Sequence, residues 1–265
     1  VPLTEFQRTL LALLAGTRSP DCYLAGGAAL HFSPDSTRYS HDLDFFHDSS
    51  ERVAEAFAED SRILEAEGYD VRVVISQPGF IRATVTKATE ATRVDWAHET
   101  AWRFMPLVRD ELGGYLLHDV DLATNKTLAL AGREEPRDFV DILYVHERVL
   151  ALGGLVWAAV GKDPGFTPLS LLELLERRGH YRPEDMARLD LIAPFDLVAS
   201  KRVWLEALED ADAFVRSRPT EETGCLYWSA ERERFVIPEP GRELSDQGIS
   251  VHFGAPGGVI PTLVA

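Results

Sequence analysis

Cysteine is almost missing from this chain: 265 residues carry two, Cys22 and Cys225. Two widely separated thiols build neither a disulfide framework nor the paired spacing of a zinc site. The eight histidines are scattered, with no H-x-H or H-x-x-x-H among them, so imidazole-based zinc centres are not expected either. G-x-S-x-G, the P-loop and G-x-G-x-x-G are absent, which removes the nucleophile-elbow hydrolases, P-loop NTPases and dinucleotide-binding enzymes. Positive charge is scarce: 27 Lys and Arg stand against 43 Asp and Glu, for a formal net charge of −16. That argues against broad, non-specific nucleic-acid binding, which rests on neutralising phosphates, but leaves room for a local basic groove. No apolar run approaches a membrane span, and the opening "VPLTEFQRTLLALLAG" lacks a basic leader region. The expectation is a cytoplasmic protein with no membrane partner.

What is present reads as an α+β chain in three parts: residues 1–115, 116–220 and 221–265. Apolar residues make up 45% and charged residues 26%, the balance of a folded globular protein. Leucines at helical spacing behind Thr4 predict an amphipathic first helix. "DCYLAGG" predicts a strand entering a glycine turn, and "DLDFFH" a second strand. A helix should start at Asp48, with Glu51 closing a capping box, and stop at Gly68. "VRVVIS", "FIRATVTKA" and "TRVDWAH", rich in β-branched residues and parted by turn signals, predict three more strands and a mixed sheet. The middle part predicts helices over "VDLATNKTLALAG", over "EPRDFVDILYVHERVLAL" with Pro136 in the first turn, then a break at Gly153-Gly154. Further helices follow over "LSLLELLERRG", "PEDMARLDLI" and "PFDLVASKRVWLEALEDADAFVRS". In the tail, "CLYWSAERERFVI" predicts a hairpin. The basic clusters "ERRGHYR", Lys201-Arg202 and Arg216/Arg218 read as solvated helix faces.

The chemistry concentrates in "RYSHDLDFF", residues 38–46. A carboxylate among apolar residues costs several kcal/mol to desolvate unless something pairs with it or is bound by it. The D-x-D spacing alone says little in so acidic a chain, since Glu65/Glu67, Asp119/Asp121, Asp210/Asp212 and Glu231/Glu233 share it. Context separates Asp42 and Asp44: strand alternation sends both to one face and Leu43 and Phe45 to the other. Mg²⁺ or Mn²⁺ suits such a pair, because a hard cation takes one or two carboxylates plus substrate phosphates. Upstream, Gly26-Gly27 offers a turn where backbone can approach a phosphate. Asp95, the single acid inside "TRVDW", is a third carboxylate that a neighbouring strand could present beside the pair, or an edge acid facing solvent. Lys126, on a helix among apolar residues, must bring its charge to water or to an anion such as a triphosphate. Asp138 and Asp141 share a helix face three residues apart and can brace Lys126 or Arg137.

A glycine pair, a spacer and a hydrophobic acidic pair is the order of the polymerase-β-like nucleotidyltransferase superfamily. More closely, "YLAGGAALHF…RYSHDLDFF…VDW…NKTLALAGREEPRDFVDILYV" resembles the AbiEii/AbiGii toxin family of nucleotidyltransferases, a family that includes the mycobacterial MenT toxins. The likeness runs from Tyr23 to Val145, and R-x-S-x-D-L-D-F-F is its most specific part. It implies a nucleotidyltransferase core over 1–115 followed by a helical domain. Carried over, it implies that Gly26 and Gly27 hold phosphate, Ser40 supports the nucleotide, Asp42 and Asp44 bind metal, Lys126 contacts the triphosphate, and Asp138 or Asp141 supplies the late acid.

The expected reaction is attack of an acceptor hydroxyl on the α-phosphate of an NTP, with Asp42, Asp44 and Asp95 at the metal, Lys126 and Arg137 at phosphate, and pyrophosphate leaving. The family implies a toxin with an antitoxin partner and, for some members, tRNA as acceptor. A small cationic acceptor, as in antibiotic-modifying nucleotidyltransferases, suits the acidic charge. A regulator that keeps the fold without catalysis is the remaining alternative, and the intact acids and Lys126 speak against it.

Overall fold

Thr4 opens the first helix. Its hydroxyl accepts from the Gln7 backbone while the Gln7 side chain accepts from the Thr4 backbone, a reciprocal cap on α1 (Glu5–Leu14). Phe6, Leu10, Leu11 and Leu14 follow at helical spacing and are buried. The computed structural model describes residues 3–32 and 36–261, and its chain gathers into two compact units. Of the described residues, one comprises 3–32, 36–102, 106–118 and 256–258; the other 103–105, 119–255 and 259–261.

The first unit is an α+β body around a seven-stranded mixed sheet. Its main elements are β1 (Cys22–Ala25), α2 (Gly26–Leu30), β2 (Asp42–His47), α3 (Ser50–Ala66), β3 (Asp70–Gln77), β4 (Phe80–Lys87) and β5 (Glu90–His98). The strand order is β3-β4-β5-β2-β1, continued by the short strands Gly114–Leu116 and Val108–Asp110. β2 runs parallel to β5 and antiparallel to β1, and β4 pairs antiparallel with both β3 and β5. Alternation gives the sheet two unlike faces. Leu43, Phe45, Val94 and Trp96 are buried on one, where Phe57 of α3 meets Trp96 edge-on at 5.1 Å. Asp60 of α3 anchors that face by accepting from Trp96 Nε1 (2.8 Å), Thr17 Oγ1 (3.1 Å) and Arg18 Nη2 (2.5 Å). Arg18 also donates to Cys22 Sγ at 2.9 Å, and Cys22 Sγ lies 3.1 Å from His47 Nε2. Both Cys22 and Cys225 are buried free thiols.

One start differs from expectation. Ser49, not Asp48, caps α3, accepting from Arg52 N, so the box with Glu51 does not form. Gly68, at φ +80°, ends that helix in the left-handed conformation that favours glycine.

The second unit holds α4 (Asp119–Gly132), α5 (Pro136–Arg148), α6 (Leu152–Lys162), α7 (Pro168–Glu176), α8 (Pro183–Met186) and α9 (Leu197–Ser217). Pro136 stands in the first turn of α5, as read from the sequence. Gly153-Gly154, expected to break the chain, lies inside α6 instead. A side chain at Gly153 would press on Phe214 and Ala211 of α9, so the glycine serves close helix contact, and packing outweighs its low helix propensity. "PEDMARLDLI" forms one helical turn only: the Asp185 carboxylate accepts from Arg182 N, and Leu189 N turns back to Met186 O. The tail hairpin forms between Leu226–Ser229 and Arg234–Phe235, and a third strand, Ile249–His252, joins its other side. Gly161 of α6 lies so near the Gly224 carbonyl that a side chain there would strike backbone. Trp157 Nε1 donates to Glu222 O at 2.7 Å, which fixes the start of the tail to the same helix.

Candidate active site

Asp42 and Asp44 project from one face of β2, and the register sets Asp44 directly beside Asp95 of β5. Leu43 and Phe45, wholly buried on the opposite face, hold the strand in that phase. The acidic face is not bare carboxylate. Arg82 of β4, paired with Asp95 in the antiparallel register, donates Nε and Nη2 to its two oxygens at 2.8 and 2.6 Å. Arg93 of β5 donates Nη2 to Asp42, and its Nε lies 3.6 Å from Asp95. The Arg82 guanidinium is held above its ordinary pKa, first by the hydrogen bond to Asp95. Two arginines thus neutralise much of the acidic face.

Gly26 sits against Asp44. Its φ is +63°, and a Cβ there would overlap the Asp44 carboxylate, so this position admits no side chain without moving the acid. Gly27 is close-packed too: a Cβ would meet Arg38 Nη2 and Ser40 Oγ at 2.9 and 3.0 Å. Ser40 Oγ donates to Asp42 Oδ1 at 3.1 Å, and the Ser40 carbonyl accepts from Gln7 Nε2 at 2.9 Å, tying this loop to α1. Gly26, Gly27, Ser40, Asp42, Asp44 and Asp95 therefore gather at one edge of the acidic face.

Among the described residues no set of three or more His, Cys, Asp or Glu is arranged as a ready metal cage. Asp42 and Asp44 nonetheless fit a hard divalent cation. They are oxygen donors on one face, and Asp44 seats its carboxylate against a glycine whose missing side chain makes room for it. Asp95 gives both oxygens to Arg82 and Asp42 gives one to Arg93 and one to Ser40, so each joins a metal only as its arginine pair opens.

The other sequence-selected residues lie in the second unit. Lys126, 6% exposed, places Nζ 2.7 Å from Asp141 and 3.7 Å from Asp138, both fully buried. Its charge is met by carboxylates of α5 rather than by open water. Asp138 also receives Arg133 Nε and Nη2 at 2.6 and 3.0 Å. Arg137 is half-buried in the first turn of α5. The basic clusters noted from sequence are partly taken up internally: Arg216 pairs with Asp212, Arg218 with Glu222, and Lys201 donates to Tyr181 O.

The model of the AbiEii nucleotidyl transferase toxin, of type IV toxin–antitoxin systems, matches residues 8–217. The chain belongs to the AbiEii family. It is an enzyme of the nucleotidyltransferase class, as the D-x-D strand led one to expect. Among solved structures, a candidate nucleotidyltransferase from H. pylori aligns at TM-score 0.50 and 17% identity, covering 80% of this chain and 97% of that one. MenT4, a nucleotidyltransferase toxin from Mycobacterium tuberculosis H37Rv, aligns at TM-score 0.50 and 17% identity, covering 82% of this chain and 83% of its own. At such identities the likeness is one of fold. No curated protein matches the sequence significantly. Among the described residues no helix is long and apolar enough to cross a membrane.

Within this AbiEii-family fold, sequence reading missed Arg82 and Arg93. The signal was available in part: Arg93 and Asp95 are two apart on one strand and so share a face. Arg82 needed the pairing of β4 with β5, a register that local sequence does not state.

Proposed function

We propose that this AbiEii-family chain transfers NMP from an NTP to an acceptor hydroxyl in a divalent-metal-dependent reaction, as the toxin partner of an antitoxin, with tRNA as acceptor. The observation that carries the reading is the paired carboxylates of Asp42 and Asp44 on one strand face, with Gly26 stripped of side chain against Asp44. Asp42 and Asp44 would hold Mg²⁺ or Mn²⁺, with Asp95 joining if Arg82 releases it. The bound cation supplies Lewis-acid stabilisation of the charge developing on phosphoryl oxygens.

The residues of the chain divide the remaining work. Ser40 orients Asp42 through its hydroxyl, and Gly26 and Gly27, which open α2 rather than a turn, would let phosphate approach backbone. In the second unit Asp141 and Asp138 position the Lys126 ammonium, Arg137 stands in the first turn of the same α5, and we assign these two cations to anion binding. In the reaction the acceptor oxygen bonds to the α-phosphorus, the bond to the bridging β-phosphate oxygen breaks, and pyrophosphate leaves while the hydroxyl proton passes to solvent.

The distribution of basic residues favours a polyanionic acceptor. Arg38, Arg82 and Arg93 all lie around the acidic pair, where a small cationic acceptor would meet repulsion. The test is incubation with each α-labelled NTP, Mg²⁺ and bulk tRNA, followed by separation of labelled RNA. Asp42→Asn and Asp44→Asn should each lose labelling by about a hundredfold or more while keeping the wild-type circular dichroism spectrum. Full labelling by both variants would sink the assignment.

A further inference from the structure

A second feature of the same sheet face extends away from the acids. The register aligns Arg72 of β3 with Thr84 of β4, Thr84 with Arg93 of β5, and Arg93 with Asp42 of β2. Directly paired residues point to the same side of a sheet, and strands are spaced about 4.8 Å apart. The four residues therefore form one row, about 14 Å long, from the edge strand to the acidic pair. Helix α3 packs on the opposite face, leaving Thr84 and Arg93 half-buried and Arg72 exposed.

The protein itself uses the two arginines unequally. Arg72 has no hydrogen-bond or ion-pair partner among the described residues. Arg93 gives Nη2 to Asp42, and its buried Nε faces Asp95 at 3.6 Å without a hydrogen bond, while the side chain as a whole stays partly exposed. A buried guanidinium N–H without an acceptor is costly, and the planar fork of arginine matches phosphate oxygens. Arg82 differs, since both oxygens of Asp95 engage it. What Arg72, Thr84 and Arg93 offer together is one exposed cationic fork, a hydroxyl donor and a partly exposed guanidinium already held at the carboxylates. A linear polyanion whose terminal hydroxyl must reach Asp42 and Asp44 fits that layout.

We propose that Arg72, Thr84 and Arg93 form a phosphate-binding track for the backbone of a nucleic-acid acceptor, leading its end to the acidic pair. This rests on the reading of Asp42 and Asp44 as the transfer site and adds the route by which the acceptor arrives. Phosphate contacts position a strand without reading its bases, so the track contributes affinity and placement rather than sequence choice.

The experiment is fluorescence anisotropy of a labelled single-stranded RNA oligonucleotide with the full chain, in Mg²⁺, across a salt series. Arg72→Gln and Arg93→Gln should each weaken binding about fivefold, and each should reduce the slope of log affinity against log salt by about 0.7. Arg72 is exposed, so its variant keeps the fold and gives the cleaner reading. Wild-type affinity and slope in Arg72→Gln overturn the track, whatever Arg93→Gln does, and so does a wild-type chain that binds no RNA. Asp42→Asn separates the two ideas: it should lose nucleotide transfer and keep RNA binding. Transfer that survives in Asp42→Asn defeats the catalytic reading independently of the arginine results.

Discussion

Replacing Asp60 with Asn tests the reasoning about what holds the acidic strands in place. Asp60 lies behind β2 and β5, and its side chain and that of Arg18 are each 1% exposed. The substitution keeps shape but removes the carboxylate bonded to the buried Arg18 guanidinium, and leaves one amide oxygen to serve Arg18, Trp96 and Thr17. Breaking a buried ion pair from one side costs about 3–5 kcal/mol. Arg18 retains the Leu14 carbonyl and Cys22 Sγ as acceptors and lies 4.0 Å over the Phe45 ring, so the lower end applies, about 3 kcal/mol. Urea unfolding should show that loss as a lower midpoint at unchanged slope. A companion pair, Arg18→Met with Asp60→Leu, removes both charges and should recover to within about 2 kcal/mol of wild type, because apolar replacements of a buried pair are often neutral and the remaining loss is the Trp96 indole left without its acceptor. The reasoning fails if Asp60→Asn unfolds within about 1 kcal/mol of wild type, or if the double variant is worse than the single.

Gly26→Ala should cost about 1–2 kcal/mol for the left-handed backbone and, by displacing Asp44, cut nucleotide transfer about a hundredfold. Gly27→Ala, which meets only side-chain ends, should lose clearly less in the same labelling assay. His47 is buried, and desolvation, followed by the nearby Arg18 charge, lowers its pKa to about 4. The folded state therefore refuses a proton that the unfolded chain accepts below about 6.5. Stability should be full above that pH and fall by up to about 3 kcal/mol as pH drops through 4. Urea midpoints measured from pH 7 downward should decline less steeply in His47→Gln, and equal declines would contradict this account.

The parts legible in the sequence were those fixed by near neighbours. Thr4 and Gln7 cap one another three residues apart, and the alternation in "DLDFF" fixes which face each side chain takes whatever lies alongside. Asp95 also stood out, as the one acid in a β-branched run, though its place beside Asp44 depends on the parallel pairing of β2 and β5. Arg82 and Arg93 went unnoticed because a lone arginine on a strand resembles any solvent-facing residue until the adjacent strand is known. Gly153-Gly154 misled for the converse reason: local propensity says break, and only Phe214, far along the chain, explains the helix. The third tail strand, Ile249–His252, pairs with Leu226–Ser229 across the hairpin, beyond the reach of any turn signal.

The contact of Gly161 with the Gly224 carbonyl bears on where this protein can be cut. The family likeness stops at residue 217, which invites trimming everything after α9 as an accessory. Backbone lying on backbone leaves no side chain to compensate if one partner is removed. A chain ended there would strip the outer flank of α6, take away the acceptor of the Trp157 indole and uncover Phe214, which now meets Tyr227 edge-on at 6.1 Å. The family match ends at residue 217, while the contacts that close the flank of α6 and cover Phe214 continue to Tyr227.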